Sequence, residues 1–531
     1  MNVLVLDPKT VCVEKSEVYQ AEQLRQIGLA VQGDVGWDIN NLYADRSCLT
    51  DLHVKDEVNV KIEGLDLDTR RKLSNMFKYE VPYARYLPAV KLGRWDGKKA
   101  FFQLGGSTYI NLLPDILPVL VQQGYDVTLN DLREYPSEFV LEPVTEESFS
   151  HVAWPKGHPA EGEPIILRDY QVETINQFLA NPQSLQEVAT GAGKTLMTAA
   201  LSASVENYGR SIVIVPNKSL VTQTEEDYVN MGLDVGVYYG DRKEFGKTHT
   251  ICTWQSLNIL LKNTKNSVAD VTIGEFLEDV VCIMVDEVHM AKADALTTLL
   301  TGVMSHIPIR WGLTGTVPKE KFESVGIVCS IGPVINQISA KELQDKGVLA
   351  QCHVNIVQMI DVIAHNNYQS ELKYLLGDTD RVAWIGSLCN TIKDTGNTLI
   401  LVDRISAGEA LKAAIPDSVF VSGSTKGADR KAEYDEISTA EGKVIIATYG
   451  VAAVGINIPR IFNLVLVEPG KSFVRVIQSI GRGIRKAKDK DFVQIWDITS
   501  TAKYAKRHLT KRKAFYKEAN YPFTVEKVDW N

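Results

Sequence analysis

A lysine, a threonine and two carboxylates are spaced along this chain in a way that suits phosphate chemistry. Ala189-Thr190-Gly191-Ala192-Gly193-Lys194-Thr195 follows a short apolar run and opens a helical stretch through Leu196, Met197, Ala199, Ala200 and Leu201. A glycine-rich turn at such a junction lets successive backbone N–H groups of Thr190, Gly191, Ala192 and Gly193 surround a phosphate. Lys194 then reaches the outer phosphates and the Thr195 hydroxyl holds Mg²⁺. The full phosphate-loop pattern has glycine five residues before Gly193, where this chain has Val188. Alone, the segment also reads as an ordinary glycine-rich turn.

Two further clusters decide between those readings. Val285-Asp286-Glu287-Val288-His289 ends an apolar strand candidate. Carboxylates there lie at the carboxyl edge of a parallel sheet, where Asp286 holds Mg²⁺ and Glu287 orients or deprotonates water. An acidic pair at a strand end is otherwise a helix cap. Gln478-Ser479-Ile480-Gly481-Arg482-Gly483-Ile484-Arg485 places Arg482 and Arg485 three apart, on one helix face. Facing a nucleotide across a cleft they act as arginine fingers, worth roughly 10³–10⁵ in rate; without such a cleft they are surface charge.

The elements that position these groups are legible from residue 166 onward. Short apolar runs at 212–215, 250–253, 280–285 and 309–314 alternate with helical stretches, and a second set follows at 398–402, 419–422, 444–447, 464–467 and 492–496. Apolar strands separated by helices imply parallel sheets covered on both faces, here two α/β domains in tandem.

At 531 residues the chain is too long for one core. Its 45% apolar and 23% charged content is that of a soluble globular protein. The cysteines Cys12, Cys48, Cys252, Cys282, Cys329, Cys352 and Cys389 form no C-x-x-C pair, so neither a disulfide framework nor a zinc site is indicated. No apolar run approaches the roughly 20 residues that span a bilayer, and the first residues lack the basic flank of a signal peptide. A cytoplasmic location is expected, without membrane association. The net charge of −9 does not favour nucleic acid in bulk, but affinity follows local basic surface.

Such a surface precedes the α/β region. Lys78, Arg85, Lys91, Arg94, Lys98 and Lys99 interleave with Tyr79, Tyr83, Tyr86 and Trp95, the composition of a nucleic-acid face. Trp95-Asp96-Gly97 carries an Asp-Gly turn signal and predicts a hairpin. Pro114 predicts a helix start and Gly124 its cap. Pro155, Gly157, Pro159, Gly162 and Pro164 give residues 151–165 the composition of a linker. Residues 501–531 hold eight Lys or Arg against three acidic residues; Ala502–Lys517 reads as a basic helix, on DNA or simply solvated.

In this order the motifs resemble the superfamily 2 helicases and translocases over residues 166–500. Leu167-Arg168-Asp169-Tyr170-Gln171 is similar to the adenine-reading Q motif, with Arg168 and Gln171 at the nucleotide. Ile214-Val215-Pro216-Asn217-Lys218 through Gln223 resembles motif Ia, and Cys252-Thr253-Trp254-Gln255-Ser256 the segment that touches a strand backbone. Leu313-Thr314-Gly315-Thr316 resembles motif III. Val402-Asp403-Arg404 resembles motif IV; Ala447-Thr448-Tyr449-Gly450 with Gly455-Ile456-Asn457 resembles motif V, Asn457 standing where many relatives have aspartate. The segment Arg85…Gly93-Arg94-Trp95-Asp96-Gly97…Leu112-Leu113-Pro114 narrows the likeness to phage UvsW-type recombination helicases.

The resemblance implies two RecA-like domains preceded by a small α+β accessory domain, ATP and Mg²⁺ as cofactors, and branched or single-stranded DNA as substrate. It implies catalytic roles for Lys194, Asp286, Glu287, Gln478, Arg482 and Arg485, with Gly455 also at the nucleotide. Strand contacts fall to Pro216, Asn217, Lys218, Gln223, Thr253, Trp254, Gln255, Ser256, Arg404, Thr448, Tyr449 and Gly450. Lys91, Arg94, Trp95 and Lys98 serve the accessory surface. The expected division is 1–70 (no assigned role), 71–150 accessory domain, 151–165 linker, 166–328 first RecA-like domain, 329–500 second, and 501–531 basic tail, in a monomer that works beside other replication or recombination proteins. An RNA-directed remodeller and a non-hydrolysing nucleic-acid-binding scaffold are the alternatives. The RecA pair alone would allow the first; retention of Lys194, Asp286, Glu287, Arg482 and Arg485 argues against the second.

Overall fold

The computed structural model describes residues 3–7, 10–13, 49–133, 139–155, 160–288, 293–423, 425, 436, 440–451, 458, 460–472, 476, 479–481, 483–487 and 489–530. Strands β1 (Val3–Asp7) and β2 (Thr10–Val13) form an antiparallel pair. Next comes a four-stranded sheet of β3 (Leu49–Val54), β4 (Asn59–Glu63), β7 (Ser107–Tyr109) and β8 (Asp126–Asp131), in the order β7-β4-β3-β8. Alternating burial along β3 and β4 turns Leu52, Val54, Val60 and Ile62 into a core shared with the helix Leu113–Gln122. Pro114 stands in that helix's first turn, where no backbone donor is lost, and Gly124 follows its end at φ 79°.

This sheet corrects the expected boundary at residue 70, which would cut β3 and β4 from their partners β7 and β8. The hairpin expectation is corrected as well. Short strands β5 (Lys78–Glu80) and β6 (Lys98–Ala100) do pair antiparallel, but residues 81–97 between them form helical turns rather than a two-residue Asp-Gly turn.

The first large sheet contains β9 (Gln183–Val188), β10 (Arg210–Val215), β11 (Val235–Tyr239), β12 (Arg242–Lys243), β13 (His249–Thr253), β14 (Val280–Asp286), β15 (Ile309–Thr314) and β16 (Val334–Ile338). Its order is β12-β11-β13-β10-β14-β15-β9-β16, parallel except for β12. The central strands are buried on both faces, which is why they read as unbroken apolar runs. Because β16 pairs with β9, this domain continues past residue 328.

The second sheet contains β17 (Gln351–Met359), β18 (Thr398–Val402), β19 (Ser418–Val421), β20 (Val444–Thr448), β21 (Asn463–Val467), β22 (Phe492–Ser500) and β23 (Phe523–Val528), ordered β19-β20-β18-β21-β22-β17-β23 and wholly parallel. Residues 501–531 are therefore not a tail. The helix Lys503–Glu518 buries Ala505, Leu509, Arg512 and Tyr516, and β23 completes the sheet beside β17. Arg512 donates to both carboxylate oxygens of Asp497 at 2.8 and 2.9 Å, and the Tyr516 hydroxyl donates to the same group. Seven of the eight basic residues of 501–531 thus sit on a helix whose other face is core.

The accessory domain is fixed to the first large domain by specific bonds. Glu57 N–H donates to Ser305 O at 3.0 Å. Ser305 Oγ donates to Asp56 at 2.9 Å, and Asn59 Nδ2 donates to Thr301 O at 2.9 Å. Asn111 Nδ2 reaches Gln183 Oε1 and Val328 O, both at 3.1 Å, and Phe101 packs on Phe322. Among the described residues no helix is long and apolar enough to cross a membrane.

Candidate nucleotide site at the junction of the two domains

Every group of the first domain expected to be catalytic follows or ends a central strand at its carboxyl end. β9 ends at Val188 and runs into the loop; β14 ends at Asp286; β15 ends at Thr314, before Gly315. Gly191 and Gly193 take φ of 91° and 83°, and Gly193 caps the helix Lys194–Val205. The positive φ disfavours a side chain at both, and a Cβ would also displace Leu349 Cδ2 at 2.9 Å from Gly191 and Gln171 Nε2 at 2.6 Å from Gly193. The amides so exposed, at the positive end of a helix, form an anion cradle.

Lys194 Nζ donates to Glu287 Oε1 at 2.9 Å. Glu287 holds a left-handed backbone, φ 50°, and its other oxygen accepts from Gly315 N–H at 3.3 Å. Asp286 is largely buried and accepts from the Glu287 N–H at 2.9 Å. Lys194, Asp286, Glu287 and Thr195 all line one cavity of about 720 Å³. Its far wall belongs to the second half of the molecule: Gly347, Val348, Leu349, Arg485 and Lys486. Gly481 packs so closely on the loop that a Cβ there would meet Thr190 Cβ at 3.0 Å. Lys490 is buried and donates to Gly483 O at 2.6 Å and Arg485 O at 2.8 Å, tying down the segment that carries Arg485. Burial, then the Arg485 guanidinium, pushes its ammonium down to about 7.

Phosphate loop, acidic pair and arginine segment thus converge on one cavity. Residues 164–319 match the family described as "Type III restriction enzyme, res subunit", and residues 381–487 match "Helicase conserved C-terminal domain". The chain thus carries the paired motor domains of an ATP-hydrolysing helicase, of the kind found in superfamily 2.

Among curated relatives, the helicase is 24% identical over 493 residues to the "ATP-dependent DNA helicase uvsW" of Enterobacteria phage T4, covering 88% of this chain and 94% of that one. It is 24% identical over 376 residues to the "DNA 3'-5' helicase XPB" of Mycobacterium tuberculosis, covering 68% of this chain and 66% of that one. Its fold is like that of the "ATP-dependent Type ISP restriction-modification enzyme LlaBIII bound to DNA", with TM-score 0.52, 14% identity, and coverage of 78% of this chain and 36% of that one. ATP hydrolysis is the helicase's chemistry, and the phosphate loop and acidic pair expected to serve it line this cavity.

The remaining site expectations divide by location. Gly455, Gln478 and Arg482 lie outside the described residues. Arg168 and Gln171 line the cavity. Gln171 is almost wholly buried: its oxygen accepts from Arg168 N–H at 2.9 Å, and its amide donates to Ala192 O at 3.1 Å, so it braces the phosphate loop. Tyr170, buried beside it, donates to the same carbonyl at 2.9 Å.

Asn217 caps the helix Lys218–Asn230 through Leu220 N–H, and Lys218 is exposed at its start. Thr253 caps the helix Trp254–Lys265 through Ser256 N–H, with its hydroxyl 2.9 Å from that of Ser256. Gln255 Nε2 donates to the carbonyl of Pro216 at 3.2 Å. Arg404 donates to Gln369 at 2.8 Å. Trp254 is half-buried, Thr448 is half-buried at the end of β20, and Gly450 is exposed.

Three expectations of strand contact fail on geometry. The Pro216 ring is buried. Tyr449 is buried, with its hydroxyl 3.4 Å from Val467 O, and has no face to offer a strand. Gln223 lines the nucleotide cavity instead. Asp227 and Asn230, on the same helix face as Gln223, line it too and were not singled out by the sequence. The 3.6-residue period groups the three, but the side of the sheet they face is a tertiary fact.

Proposed function

We propose that the protein is an ATP-driven DNA helicase or translocase that unwinds or branch-migrates branched DNA (forks, Holliday junctions and R-loops) in phage replication, recombination and repair, as a monomer in the host cytoplasm. The observation that carries the substrate class is the accessory surface. Lys91, Arg94 and Lys98 are exposed around the half-buried Trp95, whose indole donates to Lys98 O at 2.8 Å. Tyr83 and Tyr86 are exposed beside them, with the Arg85 guanidinium over the Tyr86 ring at 4.9 Å. Cations among exposed rings suit backbone contact and base stacking without sequence readout. Because this domain is bonded to the first RecA-like domain through Asp56, Asn59 and Asn111, duplex held there keeps a fixed relation to the motor. The likeness to the phage T4 helicase extends over 88% of the chain, beyond the motor itself.

ATP hydrolysis would drive the second domain against the first. The Thr195 hydroxyl and Asp286 carboxylate face the cavity beside the phosphate cradle, hard oxygen donors that fit Mg²⁺ together with phosphate oxygens and waters. Bound there, the ion would neutralise phosphate charge. Glu287 orients the attacking water, Lys194 holds the outer phosphates, and Arg485 stabilises charge from the opposite wall. Hydroxyls and amides at Thr253, Ser256, Thr448 and Gly450 grip the strand alternately as the cleft closes and opens.

ATPase stimulation by a four-way junction, a fork, single-stranded DNA and single-stranded RNA tests the reading. The junction and fork should stimulate most. Stimulation by RNA alone would overturn the DNA assignment.

A further inference from the structure

Between Asp497 and Glu518 the chain has no acidic residue, and seven Lys or Arg fall on the helix Lys503–Glu518. Ala505, Leu509, Arg512 and Tyr516 form its buried face. The 3.6-residue turn gathers Lys503, Lys506, Arg507, Lys511 and Lys517 on the opposite face, and all five are exposed. None of the five has a carboxylate partner among the described residues. Glu518, the one acidic side chain of the helix, is taken by Lys319 of the first large domain.

A merely solvated helix face mixes both signs, because Glu–Lys pairs one turn apart stabilise it and like charges at that spacing oppose it. Here Lys503, Arg507 and Lys511 follow one another at four-residue spacing, uncompensated. Cations also crowd the start of the helix, where the backbone dipole is already positive. The fold offsets this from within. Buried Glu371 accepts from Tyr504 N–H at 3.0 and 3.1 Å and from Ala505 N–H at 2.7 Å. Glu371 belongs to the helix Tyr368–Gly377, whose Gln369 accepts from Arg404 at 2.8 Å. The basic face therefore begins at the sheet edge where Arg404 follows β18, and about 24 Å of helix carries it to the Lys319 contact with the first domain. His508 reports the field there: burial, then Arg512, Lys471 and Lys511, push its imidazole down to about 4.

We propose that this face binds the phosphate backbone of a duplex DNA arm through Lys503, Lys506, Arg507, Lys511 and Lys517, a second duplex grip apart from the accessory surface. The neighbouring rings favour duplex over single strand. Tyr368, Tyr504 and His508 are half-buried and packed on one another, with centroids 4.8 Å apart for Tyr368 and His508 and 6.4 Å for Tyr368 and Tyr504. They offer no open platform for stacked bases, which single-strand grooves use, so the face supplies charge alone. The inference rests on the DNA-helicase reading and adds where the second domain meets duplex.

The test is the salt dependence of binding by the full chain to a blunt DNA duplex and to an oligo-dT of equal length, between about 50 and 200 mM salt. Each lost phosphate contact lowers the duplex slope of log K against log salt by about 0.9. Lys506→Gln, Arg507→Gln and Lys511→Gln together should therefore lower it by about two to three, and the oligo-dT slope by less than about one. Removing the same charge elsewhere, with Lys262→Gln, Lys265→Gln and Lys412→Gln, should leave both slopes at the wild-type value. Thermal unfolding tracks folding, and Arg507→Gln alone, expected to cost about one unit of slope, keeps the test decisive if the triple variant is unstable. An unchanged duplex slope, an equal loss in the control variant, or a loss as large on oligo-dT overturns the inference. A wild type that binds neither DNA would refute the DNA-helicase reading and this inference together.

Discussion

Lys194 Nζ and Glu287 Oε1 stand 2.9 Å apart although 93 residues separate them in sequence. β9 and β14 flank β15 in the sheet, so the residues leaving their carboxyl ends meet over one strand. Both partners are largely shielded from solvent, so the contact is stronger than a surface pair. A γ-phosphate bound by Lys194 would compete for this ammonium and release the carboxylate toward water. Lys194→Ala should therefore abolish turnover, whereas Glu287→Gln should retain ATP binding and lose roughly 10²–10⁴ in kcat. Filter binding beside single-turnover hydrolysis separates the two; an unchanged rate in either variant removes that residue from the mechanism.

The contact between Gly481 and Thr190 tests whether the two domains work as jaws. A Cβ at Gly481 would already press on Thr190 at 3.0 Å, so a branched side chain there holds the second domain off the loop. Gly481→Val should depress kcat by at least about ten-fold, as misplacement of the catalytic groups does, with the melting temperature of the first domain unchanged. Full activity would mean that this approach plays no part in turnover.

Arg512 and Asp497 form a buried ion pair inside the second domain. Their bidentate pair is buried, and Tyr516 completes it. Breaking one side leaves the other charge buried alone, a loss of about 3–5 kcal/mol. Asp497→Ala should lower the urea midpoint accordingly, and Arg512→Met with Asp497→Leu together should recover much of it. Strict additivity of the two changes would contradict the pairing.

Lys490 makes stability depend on pH. Its folded-state pKa is about 7 against an ordinary 10.5, so between those values the unfolded chain binds a proton that the folded chain does not. The burial penalty is complete below pH 7 and is relieved as pH rises toward 10.5. Relative to Lys490→Met, the wild type should therefore gain stability from pH 7 to pH 9.5 in denaturant titrations. A flat difference would mean that the ammonium stays charged when buried.

The sequence revealed the motor better than its surroundings, for a physical reason. Strands such as β10, β14 and β18 are buried on both faces and so are uniformly apolar, while β23 is mostly exposed at a sheet edge and reads as part of a basic tail. The accessory sheet was not legible as a unit because β4 meets β7 only across 43 intervening residues and β3 meets β8 only across 71. Motif spacing located Lys194, Asp286, Glu287 and Arg485, all of which line one cavity. It misdirected Gln223 and Tyr449, because a motif fixes neighbours along the chain and not the side of a sheet on which a side chain emerges.

Unwinding of a synthetic four-way junction, followed with and without ATP, tests the central claim most directly. The account predicts ATP-dependent conversion of the junction to duplex or single-stranded products by the wild type, and none by Glu287→Gln. Conversion at the same rate without ATP, or none by the wild type with it, would contradict the account.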